Sequence, residues 1–512
     1  MKKTILLLAL SFLGITISSC EDDFLDKQPS SQLPSETFWQ TEQDAELALT
    51  GVYSNLQQNM LAIRADGGWP PTIKPNWDAL TDDCYQTFNY GFRELIDGTA
   101  SPTSGGNNGA IAQLYNVCYK GIQTCNFFLA NIDQVENIEA DKLNGWKGQV
   151  STLRAFFYYN LVTTYGEVPL RIEPTTLENQ DLPKAPESEI FAQIEKDLIF
   201  AAANLPEAPY GDGYVVKGSA NALLARTYLY QEKYAEAAVA AKAVMDGGSF
   251  SLSTNYEDLF VDAGQVDNPE IIFSTKYSSA PGEFQDRGSE IMIGFWGTLK
   301  PTEDFVNSFE ATDGLPIDES PLYDEANPLE NRDPRLSKIV QVGEWNPEIE
   351  QKTLSGFGLL KWTTPQTRAS LVQNFTEGTD YIHIRYADVL LMYAEGKIES
   401  GSIDTSVLDA INEVRARAYG VAVGDTGSYP AITTTDPGEL REAVRNERRY
   451  EFGFEGLRYF DLKRWGIAEE ELNGFYDPHV DANRVFLPKH YKWPLPQSAI
   501  DKNDALEQNP DY

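Results

Sequence analysis

The chain has 512 residues, 42% of them hydrophobic and 12% aromatic, which is enough apolar material for a large packed core and excludes general disorder. Lys and Arg number 41 against 77 Asp and Glu, a net charge of −36, so the surface repels nucleic-acid phosphates and offers them no broad basic stripe. The same sign argues, more weakly, against polyanionic ligands, although a local basic pocket can override it.

Lys2 and Lys3 form a positive segment, Ile5 to Ile17 a short apolar run, and Ser18 and Ser19 a pair of small residues before Cys20. This is the layout of a secretion signal, too short to span a bilayer as a mature helix. Removal of residues 1–19 takes away Lys2 and Lys3 and no acid, lowering the net charge from −36 to −38. Ile17-Ser18-Ser19-Cys20 resembles the bacterial lipoprotein box, with Ile in place of its usual Leu, and the resemblance implies lipidation of Cys20. Glu21-Asp22-Asp23 is similar to the acidic tag of lipoproteins displayed on the outer surface. An ordinary secreted protein with a free Cys20 is the competing reading. No later stretch reaches membrane-span length, so a lipid anchor alone is expected, firm if several acyl chains share one cysteine.

Residues 20–35 read as a lipidated tether, acidic and broken by Pro29 and Pro34, and 36–512 as a single domain. A helix is expected from about Ser35, carrying Phe38, Ala45, Leu49, Val52 and Leu56. From about 67 to 109 the periodicity breaks up, with Pro70, Pro71 and Pro75 among Trp69, Trp77, Tyr85, Phe88 and Tyr90. Helical spacing returns over 110–248, through Leu114 to Leu129, Trp146 to Leu161 and Ile190 to Ala201. In Ser219–Met245, Leu224, Ala225, Tyr228, Tyr234 and Ala237 fall where a tetratricopeptide pair puts its packing residues, small alanines allowing close approach. An unrelated antiparallel helix pair would give similar spacing. Residues 250–383 are irregular, with short strands such as Ile271–Thr275. Helices return over 384–466, at Tyr386–Glu399, Ser406–Tyr419, Pro437–Phe452 and Leu457–Trp465, and the proline-punctuated tail from Tyr491 is expected to run extended over the surface. The fold class is therefore mainly α: tetratricopeptide-like helix pairs scaffolding a loop-rich region with a few short strands, the irregular segments 67–109 and 250–383 being where binding is expected.

Signals for catalysis are weak. His383, His479 and His490 have no metal-ligand spacing, and no G-x-S-x-G elbow occurs. Lys217-Gly218-Ser219 has the wrong order for a phosphate loop. Glu447, Glu451 and Glu455 recur at i, i+4 among Arg445, Arg448, Arg449 and Arg458, a pattern that makes ion pairs on a helix rather than a glycosidase acid pair. No cofactor is expected; Asp78, Asp82 and Asp83 could take a structural calcium but lack EF-hand spacing. Cys118 and Cys125 lie too far apart on one helix to bridge; Cys84 could pair with either, leaving an odd thiol.

The C-terminal half carries Ile384-Arg385-Tyr386-Ala387-Asp388-Val389-Leu390-Leu391-Met392-Tyr393-Ala394-Glu395, then Asn412-Glu413-Val414-Arg415-Ala416-Arg417, Glu447-Arg448-Arg449 with Glu451, and Glu455-Gly456-Leu457-Arg458-Tyr459-Phe460-Asp461-Leu462-Lys463-Arg464-Trp465-Gly466. Trp493-Pro494-Leu495-Pro496 and Gln508-Asn509-Pro510-Asp511-Tyr512 close it. Upstream stand Asp23-Phe24-Leu25-Asp26, Leu153-Arg154-Ala155-Phe156-Phe157-Tyr158, Tyr165-Gly166-Glu167-Val168-Pro169-Leu170 and Asp333-Pro334-Arg335-Leu336. Together these resemble the SusD/RagB family, with Asp511 where that family commonly has Gly. The resemblance implies a non-enzymatic, surface-exposed outer-membrane lipoprotein that binds a polysaccharide or oligosaccharide, here a neutral one. It also implies delivery to a TonB-dependent, SusC-like transporter, over which the lipoprotein sits as a lid. The motif residues are scaffold in this reading. Some relatives handle peptides, so a RagB-like peptide binder is the alternative; a secreted glycan hydrolase and a ligand-free assembly subunit are further ones.

A sugar ring offers an apolar face and a rim of hydroxyls, so its site wants flat aromatic platforms edged by Asp, Asn or Arg. The family draws such platforms from a loop in the first hundred residues and from the central irregular region. By position these are Trp77, flanked by Asn76 and Asp78, and Trp296 in Gly294-Phe295-Trp296-Gly297, with Tyr277, Trp69 and Arg287 as neighbours. Burial in the core is the competing reading for each.

Overall fold

The computed structural model describes residues 38–58, 60–61, 73–87, 92–106, 109–280, 293, 296–343, 355–364, 378–478 and 481–512. Trp69, Arg287, Cys20 and His479 lie outside the described residues. Thr41 sets the start of the first long helix, α1 (Glu42–Tyr53). Its side chain accepts from the Asp44 N–H while the Asp44 carboxylate accepts from the Thr41 N–H, a reciprocal cap that resets the helix expected to run on from residue 35.

Six helices then follow the irregular first segment in a simple order. They are α2 (Ala110–Asn131), α3 (Ala140–Tyr165), α4 (Glu187–Asn204), α5 (Lys217–Tyr230), α6 (Tyr234–Gly247) and, after a long excursion, α7 (Tyr386–Glu399). Each packs on its predecessor, and α1 packs on α2. The α5–α6 pair is the tetratricopeptide-like one, with Ala220, Ala225, Ala237 and Ala241 all fully buried. A methyl at Gly396 of α7 would lie 2.7 Å from the Tyr234 carbonyl of α6, so only glycine permits that crossing. Helix α7 is buried on every side, and Val389, Leu390 and Leu391 are each fully enclosed, worth about 1.5–3 kcal/mol apiece. Against it pack α8 (Thr405–Ala418) and α9 (Pro437–Phe452), the latter capped by Asp436 and opened by Pro437. Helix α10 (Arg458–Arg464) follows.

The excursion between α6 and α7 mixes short helical turns with short strands. Strand β2 (Ile271–Thr275) pairs antiparallel with β6 (Tyr381–Arg385), Ile271 opposite Arg385 and Thr275 opposite Tyr381, so the segment closes at its base. Strand β1 (Cys84–Gln86), from the first irregular segment, pairs antiparallel with β3 (Leu299–Pro301) of the second. Strand β4 (Val340–Val342) pairs with β5 (Phe357–Leu359), which also touches β3. A last hairpin joins β7 (Tyr476–Asp477) to β8 (Ala482–Asn483). The tail does not lie on the surface as expected. Trp493 and Leu495 are fully buried, and the Asn509 amide donates to the carbonyls of Tyr165 and Trp493, pinning the tail to the end of α3.

The signature acids do make ion pairs, but not with their helical neighbours. Arg335 binds Asp333, Glu447 and Glu451; Arg385 binds Glu270, Glu451 and Glu455; Arg415 and Arg417 add bonds to Glu447 and to Glu270 and Glu451. Lys361 reaches Glu455 at 2.8 Å. Arg448 turns instead to Asp388 and Asp461, and Arg449 to Asp82, Asp83 and Asp304. Glu455 falls beyond the end of α9, so its spacing from Glu451 is not a helical one. The pattern welds the excursion to α8 and α9 across the core. Burial pushes the Glu451 carboxyl up, but Arg417, Arg385 and Arg335 outweigh it and hold it well below the usual carboxylate range.

Candidate functional site

The β1–β3 ladder brings the two irregular segments side by side. Next to it the Thr87 N–H donates to the Thr298 carbonyl at 2.9 Å and the Thr87 hydroxyl to the Gly297 carbonyl at 3.2 Å. Trp296 stands at this junction, half-buried, one residue before those contacts. On the neighbouring strand Tyr85 is also half-buried, and its ring lies 5.7 Å from that of Phe475, the planes 32° apart. Tyr476 beside it is 52% exposed, its hydroxyl donating to Asp481 at 2.7 Å.

Arg484 holds this cluster together. It is 2% exposed and donates to the Thr81 and Cys84 carbonyls and to the Asp477 carboxylate, while its guanidinium lies 5.0 Å over the Phe475 ring. One buried cation therefore fixes the β7–β8 hairpin against β1 and brings the Tyr85 and Phe475 rings together from distant parts of the sequence. Tyr85, Phe475 and Tyr476 were not singled out from the sequence. The only cue was the turn-rich Asp477-Pro478-His479 stretch after Phe475, which marks a hairpin but not its neighbour.

Trp77, Asn76 and Asp78 are corrected by the structure. The 3₁₀ turn Lys74–Leu80 is buried throughout, and Trp77, Asn76 and Asp78 are each 0% exposed. Trp77 stacks on Trp493 and packs against Phe92, Tyr459 and Phe460, and Asp78 accepts from the Gly456 N–H. The aromatic density that marked the segment as a platform is core filling, drawn inward because the C-terminal tail supplies rings of its own. Tyr277 is half-buried just past β2, its N–H donating to Asp380. Asp82 and Asp83 face Arg449 and Arg458, so the acids considered for calcium are already matched by guanidiniums. Cys84, Cys118 and Cys125 are all buried and free, so neither pairing open to Cys84 is formed.

The family model described as the SusD family matches residues 339–512, the part that carries α7 to α10, and one described as starch-binding associating with outer membrane matches residues 23–229. The chain belongs to the SusD/RagB family. SusD-like protein P2 of Formosa agariphila is 27% identical, the match covering 97% of this chain and 98% of that protein. A SusD-like carbohydrate binding protein from Bacteroides fragilis superposes with a TM-score of 0.80 at 28% identity, over 92% of this chain and all of the other. A laminarin binding SusD-like protein, 24% identical, shares the fold with a TM-score of 0.69 over 93% of this chain and all of the other. The SusD-like fold of helical, tetratricopeptide-like pairs expected from the sequence is the fold observed. Among the described residues no helix is long and apolar enough to cross a membrane.

Proposed function

We propose that this SusD-like chain is a non-catalytic, lipid-anchored protein of the outer-membrane surface that binds a neutral polysaccharide or oligosaccharide and passes it to a TonB-dependent, SusC-like transporter. The observation that carries the reading is the Tyr85–Phe475 ring pair beside the β1–β3 ladder, held by Arg484, with the half-buried Trp296 and the exposed Tyr476 on the segments that meet there. Flat rings of this kind match the apolar faces of sugars, and the Asp481 carboxylate and the Tyr476 hydroxyl beside them suit the hydroxyl rim. The frame is rigid, so little ordering opposes binding. The signature acids support a role without hydrolysis, since Glu447, Glu451 and Glu455 each engage a buried cation. Trp69, Arg287 and Tyr277 remain proposed contributors to the same ligand, and Cys20 the proposed point of lipidation.

Affinity electrophoresis through gels containing neutral polysaccharides, alongside a peptide pull-down, tests this. Retention by at least one glycan is expected, with loss in a Tyr85→Ala, Trp296→Ala double variant of unchanged melting temperature. Capture of peptide alone, or release of reducing ends from the glycan, would overturn it. Labelling with a radioactive fatty acid that disappears in Cys20→Ala tests the anchor, and co-purification of a β-barrel with the native lipoprotein tests the partner.

A further inference from the structure

An internal cavity of about 40 Å³ lies between α5, α10, β6 and the buried 3₁₀ turn, and its walls include Lys74, Arg226, His383, Arg448, Asp461 and Arg464. Three of its four cations are matched. Arg226 donates to Asp388 and to the His383 carbonyl, Arg448 to Asp388 and Asp461, and Arg464 to Asp461 and Glu395. Three guanidiniums thus meet three carboxylates. Lys74 is the fourth cation and has none. It is 7% exposed, and among the described residues no carboxylate or hydrogen-bond acceptor meets its ammonium. Among the described residues its ammonium lies over two aromatic faces, Trp77 at 4.5 Å and Phe460 at 4.6 Å. Burial, the largest influence on Lys74, and then Arg226 bring it down to about 7, so it is an ammonium below that pH. Asp78, whose field pulls the other way, is itself pushed well above the usual carboxylate range by burial and compensates it poorly. His383 is kept neutral, since burial, Lys74 and Arg226 together lower it.

We propose that this cavity holds a single small monovalent inorganic anion of the chloride class, paired with the Lys74 ammonium. A desolvated ammonium with no acceptor is costly, and ring faces offset only part of that cost. The cavity has room for more than one water and for one halide-sized ion, but not for a sugar or a nucleotide. Water could fill the space, yet below about pH 7 would leave the protonated Lys74 unmatched. An anion completes the count of four against four. In a chain of net charge −36 such a site is not a generic attraction of the surface but a local surplus of one cation. Its place behind Trp77 and Phe460 makes it structural: the anion ties the first irregular segment to α5 and α10.

The test uses the chain from residue 21 at about pH 6, where Lys74 carries its proton, exchanged into gluconate, with bromide titrated in at constant ionic strength. Expected is a saturable rise in melting temperature, about 2 °C or more at high bromide, absent in Lys74→Met. Crystals grown in bromide should show an anomalous peak beside the Lys74 ammonium, a result that decides the matter even where Lys74→Met fails to fold. No difference between bromide and gluconate, an equal rise in Lys74→Met, or bromide peaks confined to the surface, an adventitious ion only, would each overturn the proposal.

Discussion

Trp77 lies face to face with Trp493, their ring centroids 4.9 Å apart and their planes 13° from parallel. The two residues are 0% exposed and come from opposite ends of the described chain, so the stack fastens the first irregular segment to the C-terminal tail. The Trp493 indole N–H donates to the Tyr459 hydroxyl at 2.9 Å, which fixes the ring that Trp77 covers.

Trp77→Ala should therefore destabilise the fold by about 3–5 kcal/mol, as large-to-small changes at fully enclosed aromatics do. Trp296→Ala, at a half-buried position, should leave the denaturant midpoint close to that of the parent chain. Urea unfolding of the two variants checks this; equal midpoints would mean that Trp77 is not core.

The buried ionic lattice makes a second contrast. Arg385→Met leaves Glu270, Glu451 and Glu455 without a guanidinium they share, and loss of about 3–5 kcal/mol is expected. Arg441→Ala breaks a half-buried pair with Glu399 at the rim of the helices, outside the buried lattice, and should cost no more than about 1 kcal/mol. Soluble expression and thermal melts separate the two; a mild Arg385→Met would show that the carboxylates re-pair or protonate without difficulty.

Asp78 gives a pH signature. Burial raises its carboxyl well above the usual range, the Gly456 N–H pulling the other way. A carboxyl higher in the folded than in the unfolded chain contributes stability that is complete below about pH 4 and is lost as pH climbs through the folded value. Asp78→Asn removes that loss. The variant should melt near the parent temperature at pH 4 and increasingly above it toward pH 8. A difference that stays constant across the range would refute the assignment.

Cys84, Cys118 and Cys125 are free and buried, and burial pushes each thiol upward. A chain starting after Cys20 should react with no thiol reagent in its native state and with three equivalents after unfolding in urea. Reductant should leave its melting temperature unchanged. A reducible bridge would contradict the structure.

The helices were legible because their signals are local. Asp436-Pro437 marks the start of α9, and the alanines of α5 and α6 mark a close-packed pair whatever else the chain does. Tertiary pairing was not legible. Nothing in the sequence around Trp77 says that Trp493, more than four hundred residues on, will cover it, so a proline-flanked Trp next to Asn and Asp looked like a displayed ring. The same blindness hid Tyr85 and Phe475, which meet only because Arg484 draws a C-terminal hairpin onto β1. The signature acids were recognised as ion-pairing, but their spacing suggested partners on the same helix. The actual partners, Arg335 and Arg385, sit on the excursion that those acids hold in place.

That excursion is fastened at a few discrete points. Lys276 meets Asp380 at its neck, Arg335 grips α9, and Lys361 and the Trp362 indole reach Glu455 and the Phe454 carbonyl. Between rivets, chain can be rewritten or lengthened with small effect on the helices below, since each doubling of a free loop costs only about 0.6 kcal/mol. A lineage bearing this architecture can thus drift from one ligand to another by editing the spans between fasteners, while the frame that carries them stays as it is.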